Sequence, residues 1–170
     1  MKLLNMKLCY IQSDYNKLEK VKALLGTNVI IDKSADWHMA LLSEPDINYI
    51  KLSFPKTLIV HEGGKYDFLD LSNCNKITCL PKNIEVNEYY IVYTDIHYIH
   101  STTTITGEIY ARNSQLYHIP KHGKLYSTII VKNYKQEKEK LDRIGEEAYY
   151  KEIDEICEKM YESEIARLII

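Results

Sequence analysis

The residues of this chain whose types and spacing could do chemistry are its histidines, cysteines and tyrosines. His97 and His100 lie three apart, and His118 and His122 lie four apart. Zinc accepts imidazole pairs at such spacings. Apolar blocks at Leu69-Asp70-Leu71, Tyr89-Tyr90-Ile91, Ile109-Tyr110-Ala111 and Ile129-Ile130-Val131 recur with a constant 20-residue step. That step sets Tyr98 beside His118 and Tyr117 beside His97, which by itself does not bring the four imidazoles together and leaves their convergence open. Apart from Asp95, no acidic or cysteine ligand stands near to complete a site. No metal site is expected. Cys9, Cys74, Cys79 and Cys157 form no CxxC pair, and a chain of 170 residues needs no disulfide to fold. A nucleophilic thiol needs a base and an electropositive setting. Cys79 with His100 one repeat away is the nearest approach to that, and it is weak. Gly63-Gly64 precedes neither a helix start nor a GK[ST] signature, so it is not a phosphate loop. We expect no enzymatic activity and no cofactor.

The tyrosines carry more. Fifteen stand against two phenylalanines. If the four blocks are strands with Leu69, Leu71, Tyr89, Ile91, Ile109, Ala111, Ile129 and Val131 inward, the residues between them face out. One outward column is Asp70, Tyr90, Tyr110 and Ile130. The next is Ser72, Val92, Arg112 and Lys132, and a flanking one is Phe68, Glu88, Glu108 and Thr128. Adjacent strands sit ~4.8 Å apart, so each column is a continuous ridge. Tyrosine and arginine are the types enriched at binding hot spots. We assign Asp70, Tyr90, Tyr110, Arg112, Ile130 and Lys132 to a partner-binding face. The competing reading makes the stacked tyrosines a sheet-stabilising ladder, or places them beneath the C-terminal helix.

Three segments must position these residues. In residues 1–53, Lys7–Ile11 reads as a strand, Ser13 caps a helix that ends at Gly26, and Val29-Ile30-Ile31 reads as a buried strand. Strand, helix and strand suggest a parallel βαβ unit. Ser34 then caps a second helix with Trp37, Leu41 and Leu42 inward, ended by Pro45, and Asp46–Leu52 holds a further helical turn or a strand. Residues 54–134 open with a hairpin, Thr57–Val60 and Tyr66–Leu71 around Gly63-Gly64, and continue as the repeats. In residues 135–170, Leu141, Ile144, Ala148, Tyr149, Ile153, Ile156, Cys157, Met160, Tyr161 and Leu168 recur at threes and fours. They mark one long amphipathic helix with Gly145 as its weak point. The three segments are expected to pack as one domain, with the helix on the open end of the last repeat or on a second copy of itself.

Stacked units share a core that one unit cannot bury alone. The pattern Leu69-x-Leu71-x-x-Cys74-x-x-Ile77-x-x-Leu80-Pro81 resembles a leucine-rich repeat, and Leu116-x-x-Ile119-Pro120 echoes its end. The 20-residue form is similar to repeats of phage-encoded and bacterial effector proteins, over roughly residues 54–133. The resemblance implies a short, irregular leucine-rich-repeat-like β-solenoid; with the α/β N-terminal cap and the long C-terminal amphipathic helix read from the flanking segments, the expected chain is α+β. It also implies binding rather than a reaction.

The formal net charge of −2 gives no electrostatic case for nucleic acid or a membrane surface. No apolar run approaches the ~20 residues of a membrane span, and Leu3-Leu4 builds no leader. A cytoplasmic setting is expected. Tyr, Ile, Lys and Asn, whose codons are AT-rich, are frequent, as in a phage, a mobile element or an AT-rich bacterium. The functional expectation is a non-catalytic protein–protein interaction module, an inhibitor of a host protein complex, with a homodimer through the C-terminal helix as a further reading. The alternatives are a structural or assembly subunit, such as a virion component, and a nucleic-acid binder that stacks bases on the tyrosines.

Overall fold

The computed structural model describes residues 5–12, 15–25, 30–32, 37–72, 74, 77–112, 116–125 and 131–169. The chain divides into two compact units, one formed by Met1–Glu62 with Glu162–Ile170, the other by Gly63–Tyr161.

The first unit holds strands β1 (Lys7–Gln12), β2 (Ile30–Asp32), β3 (Trp37–Leu42) and β4 (Leu58–Val60), with helices α1 (Tyr15–Leu25) and α2 (Glu44–Ser53). The sheet order is β2-β3-β1-β4 and every pairing is antiparallel. The expected parallel βαβ unit is therefore absent: β1 pairs with β3 and β4, and β2 pairs with β3. Trp37 lies on a strand rather than a helix, because Trp37–Leu42 is a run buried at every position. Apolar spacing alone does not separate such a run from one turn of buried helix. Pro45 starts α2 instead of ending a helix. Ser43 caps α2 through Asp46, whose carboxylate returns to the Ser43 backbone, and proline fits the first turn. Cys9, Ile11, Ala40, Leu42, Leu18, Val21, Ile47, Ile50 and Ile59 close the core between sheet and helices. The last turns of the C-terminal helix belong here, where Arg167 Nη2 lies 3.3 Å from Met39 Sδ. The Ser13 and Ser34 caps and the Gly26 stop lie outside the described residues.

The second unit holds β5 (Lys65–Asp70), β6 (Glu85–Tyr90), β7 (Thr104–Ile105), β8 (Glu108–Tyr110) and β9 (Lys124–Leu125), with helix α3 (Tyr134–Ile144) and most of α4 (Glu146–Ile169). All strand pairs are parallel, in the order β5-β6-β8-β9, with β7 also on β6. Since β4 pairs with β1 and β5 with β6, the expected hairpin around Gly63-Gly64 does not form.

The chain is α+β, but it is not the leucine-rich-repeat-like β-solenoid with an α/β N-terminal cap and one long C-terminal helix. Its described residues build a four-stranded antiparallel sheet, a five-stranded parallel sheet and four helices. The sequence period survives from β5 to β6, where Lys65 faces Glu85 and Asp70 faces Tyr90. From β6 onward it slips. Glu85 faces Thr104, where an unbroken period would bring Ile105, while Tyr89 keeps the period and faces Ile109. Gly107 accommodates the extra residue: its N–H donates to Asn87 O at 2.9 Å, and a Cβ there would stand 2.5 Å from that oxygen. The next step is shorter still, since Ile109 faces Leu125 and not Ile129. Ile129 and Ile130 lie outside the described residues.

Gly145 divides the expected long helix, taking φ +89° between α3 and α4. Within this unit α4 docks through Tyr149, Tyr150, Ile153 and Cys157, packed with Tyr98, Leu141 and Ile144. Its polar contacts keep time with the loops beside it. Glu158 meets Lys82 at 2.8 Å, Asp154 meets Ser101, and Tyr150 Oη donates to Ile119 O at 2.9 Å. One turn of helix rises ~5.4 Å and neighbouring strands stand ~4.8 Å apart. One turn of α4 therefore reaches one successive loop. Among the described residues no helix is long and apolar enough to cross a membrane.

Candidate partner-binding face

The parallel strands bury one side and present the other. Leu69, Leu71, Tyr89, Ile91, Ile109 and Ala111 are fully buried. The outward side carries an aromatic ladder. Tyr90 faces Tyr110 in register, and their rings stack with centroids 4.3 Å apart and planes 6° from parallel. Phe68, diagonal to Tyr90 on β5, continues the ladder at 4.8 Å and 38° and is 54% exposed. The Tyr110 hydroxyl donates to Glu108 Oε2 at 2.7 Å, and the Tyr90 hydroxyl donates to Glu88 Oε2 at 3.4 Å. Both pairs are two residues apart on one strand, so side chains of the same face meet. The Glu108 carboxylate holds the Tyr110 phenol above its ordinary value.

Of the six residues assigned from sequence, four belong to this face. Asp70 is exposed, its Oδ1 accepting from Ser72 N at 2.8 Å. Tyr90 and Tyr110 form the ladder. Arg112 is exposed two residues beyond β8, and its carbonyl accepts from Tyr93 N at 3.3 Å. Ile130 lies outside the described residues. Lys132 belongs elsewhere: its Nζ stands 5.3 Å above the Tyr117 ring, and its N–H donates to Leu116 O. The slip after β8 removes it from the Arg112 column. Phe68, Glu88 and Glu108 are part of the face although residue type gave them no place in the assignment. Their flanking column was the signal. Among the described residues, the contacts of α4 in this unit fall on the loops at Lys82, Tyr98, Ser101 and Ile119, not on the ladder.

Lys132, Tyr98, Tyr117, Glu137, Lys140 and Glu152 line a separate cavity of about 340 Å³ between α3, α4 and the loops. Its charges are internally matched, Lys140 meeting Glu152 at 2.6 Å.

The histidines sit where the sequence period puts them: His97 stacks on Tyr117 at 4.6 Å and His118 on Tyr98 at 5.8 Å. His118 is fully buried. Its Nε2 accepts from Ile99 N at 2.8 Å, so Nδ1 carries the proton toward Ile119 O at 3.1 Å. Burial lowers its pKa to about 4. His100 lies between two α4 carboxylates, 3.7 Å from Asp154 and 3.4 Å from Glu158. Ser101 Oγ donates to Asp154 rather than to His100, so no serine–histidine pair forms there. Among the described residues no three His, Cys, Asp or Glu gather as a metal site would require. The four thiols are buried, and burial raises Cys9 and Cys157 to about 12.

No protein-family model, no curated protein and no solved structure matches this chain.

Proposed function

We propose that this chain is a non-catalytic protein–protein interaction module whose contact surface is the outward face of the parallel sheet. The observation that carries the reading is the ladder of Phe68, Tyr90 and Tyr110, bordered by Asp70, Glu88, Glu108 and Arg112. Rigid aromatic rings give large contact area for little lost side-chain entropy, and here stacking already holds them in place. The apolar stripe of α4, by contrast, is largely spent inside its own unit on Tyr98, Leu141 and Ile144. That favours the sheet over the helix as the docking surface.

The test compares the intact chain with a Tyr90→Ala/Tyr110→Ala/Arg112→Ala variant in affinity capture from the native host's lysate, with circular dichroism as the check on folding. A partner held by the intact chain and lost by the folded variant supports the reading. A partner held equally by both overturns the placement of the site. Self-association with no partner favours an assembly subunit. Inhibition of a host complex is the narrower form of the proposal, read as loss of the captured complex's activity when purified chain is added.

A further inference from the structure

We propose that the cavity between α3, α4 and the loops is a ligand site that takes a small zwitterion, a free α-amino acid with an apolar side chain. The inference stands apart from the protein-binding reading above, since the cavity shares no lining residue with the aromatic ladder.

The charges lining the cavity balance in number but not in pairing. Lys140 and Glu152 satisfy one another at 2.6 Å. Among the described residues, Lys132 Nζ stands over the Tyr117 ring at 5.3 Å and pairs with no carboxylate. Glu137 is held by a relay from the core. Ile119 N donates to Tyr149 Oη at 3.1 Å, and Tyr149 Oη donates to Glu137 Oε1 at 2.9 Å. Tyr149 is fully buried, so this oxygen is fixed from behind and Oε2 is left for a ligand. The Tyr98 hydroxyl makes no hydrogen bond among the described residues. Burial, Tyr117 and Glu137 raise its phenol, which sets it in the field of the same carboxylate. Ile153 and Ile156, three apart on α4, supply the apolar wall. Ile153 is buried with the docked stripe of the helix, whereas Ile156 is left 37% exposed.

An ammonium, a carboxylate oxygen, a hydroxyl and an apolar wall therefore remain to be met. Ligand pockets of about 300–1,000 Å³ combine an apolar lining with a few placed polar groups. At about 340 Å³ this one has room for a molecule of amino-acid size. A simple anion on Lys132 would bring its charge toward Glu137 and Glu152, and a simple cation on Glu137 would approach Lys132 and Lys140. A zwitterion meets both signs at once. Its carboxylate accepts from Lys132 and the Tyr98 hydroxyl, its ammonium donates to Glu137 Oε2, and its side chain covers Ile153 and Ile156.

The test is isothermal titration of the whole chain with leucine, methionine and phenylalanine, then with the carboxamide and N-acetyl forms of whichever binds. We expect binding by at least one free amino acid, weakened about tenfold when either charge is removed, as loss of a charge-assisted contact implies. Lys132→Met should abolish the preference for the acid over the carboxamide. Glu137→Gln, which keeps an acceptor for Tyr149, should abolish the preference for the free amine over the N-acetyl form. No binding by any of the three overturns the inference. So does a carboxamide that binds as well as its acid, which would make the ligand a cation or a peptide N-terminus. Preferences that survive in both variants, with folding checked by circular dichroism, also overturn it. The folded Tyr90→Ala/Tyr110→Ala/Arg112→Ala variant should bind the amino acid as the intact chain does, and loss of binding there would overturn its placement in the cavity.

Discussion

His118 and Tyr89 show how single polar groups behave in this core. His118 is held neutral, with a pKa of about 4 against an ordinary 6.5. Below pH 6.5 the unfolded chain takes up a proton that the folded chain refuses. Its contribution is complete above that pH and is lost as pH falls toward 4. The difference between the two values corresponds to roughly 3 kcal/mol. Urea denaturation across about pH 4–7 should show that fall in wild type and a flatter profile in His118→Asn. Equal slopes would mean that another group dominates. His118→Asn should also cost stability at neutral pH, because Ile99 N–H and Ile119 O lose an imidazole placed for both. Tyr89 poses the opposite case. It is fully buried, and its hydroxyl is unpaired among the described residues. Tyr89→Phe keeps the ring and removes an unsatisfied oxygen, so unfolding free energy should rise by about 1 kcal/mol. A loss on that substitution would reveal a partner for the hydroxyl.

At the scale of elements, β6 to β8 is the critical join. Glu85 pairs one residue early, with Thr104, while Tyr89 pairs on the period, with Ile109, so an extra residue must fit between β7 and β8. Gly107 supplies it while passing close to Asn87 O. A methyl group would press on backbone, which cannot swing aside as a flexible side chain could. Gly107→Ala should therefore destabilise the second unit by roughly 2 kcal/mol, read as a lower denaturation midpoint. The neighbouring polar ladder, Thr106 Oγ1 to Asn87 Oδ1 at 3.1 Å and Asn87 Nδ2 to Asp67 Oδ1 at 3.3 Å, would be disturbed with it. Little change would mean that the strand shifts its register at low cost. The match between one turn of α4 and one loop explains why this helix docks along successive loops through Tyr150, Asp154 and Glu158.

At the scale of the molecule, the two units provide separate readouts through their thiols. Cys9 belongs to the first, and Cys74, Cys79 and Cys157 belong to the second. All four are buried, and a thiol reacts as thiolate only when water and reagent reach it. The native chain should show no fast-labelling thiol toward a disulfide reagent. With added urea, labelling mapped by peptide mass should follow the opening of each unit. A thiol that labels in native buffer as fast as in a free peptide would contradict its burial.

The periodic, locally encoded features were legible in the sequence. The strand Lys7–Gln12, the break at Gly145 and the burial of Leu69, Leu71, Tyr89, Ile91, Ile109 and Ala111 follow from apolar spacing and glycine placement. So does the pairing of His97 with Tyr117 and of His118 with Tyr98, because a parallel stack that keeps the sequence period sets them side by side. The Ser43, Pro45 and Asp46 start signal is also local, but proline marks helix starts and helix stops alike, so spacing alone leaves its sense open. Other features depend on which strands meet, and only the tertiary structure decided them. Trp37–Leu42 is apolar almost throughout, so its spacing leaves helix and strand equally open until β1 pairs with it from one side and β2 from the other. The shortened step after β8, which brings Leu125 to Ile109, is fixed only by the strand pairing itself. That slip removes Lys132 from the tyrosine face. Phe68 joins the face through its ring contact with Tyr90 across the sheet, whereas Glu88 and Glu108 meet Tyr90 and Tyr110 along their own strands, where the flanking column of the sequence already put them.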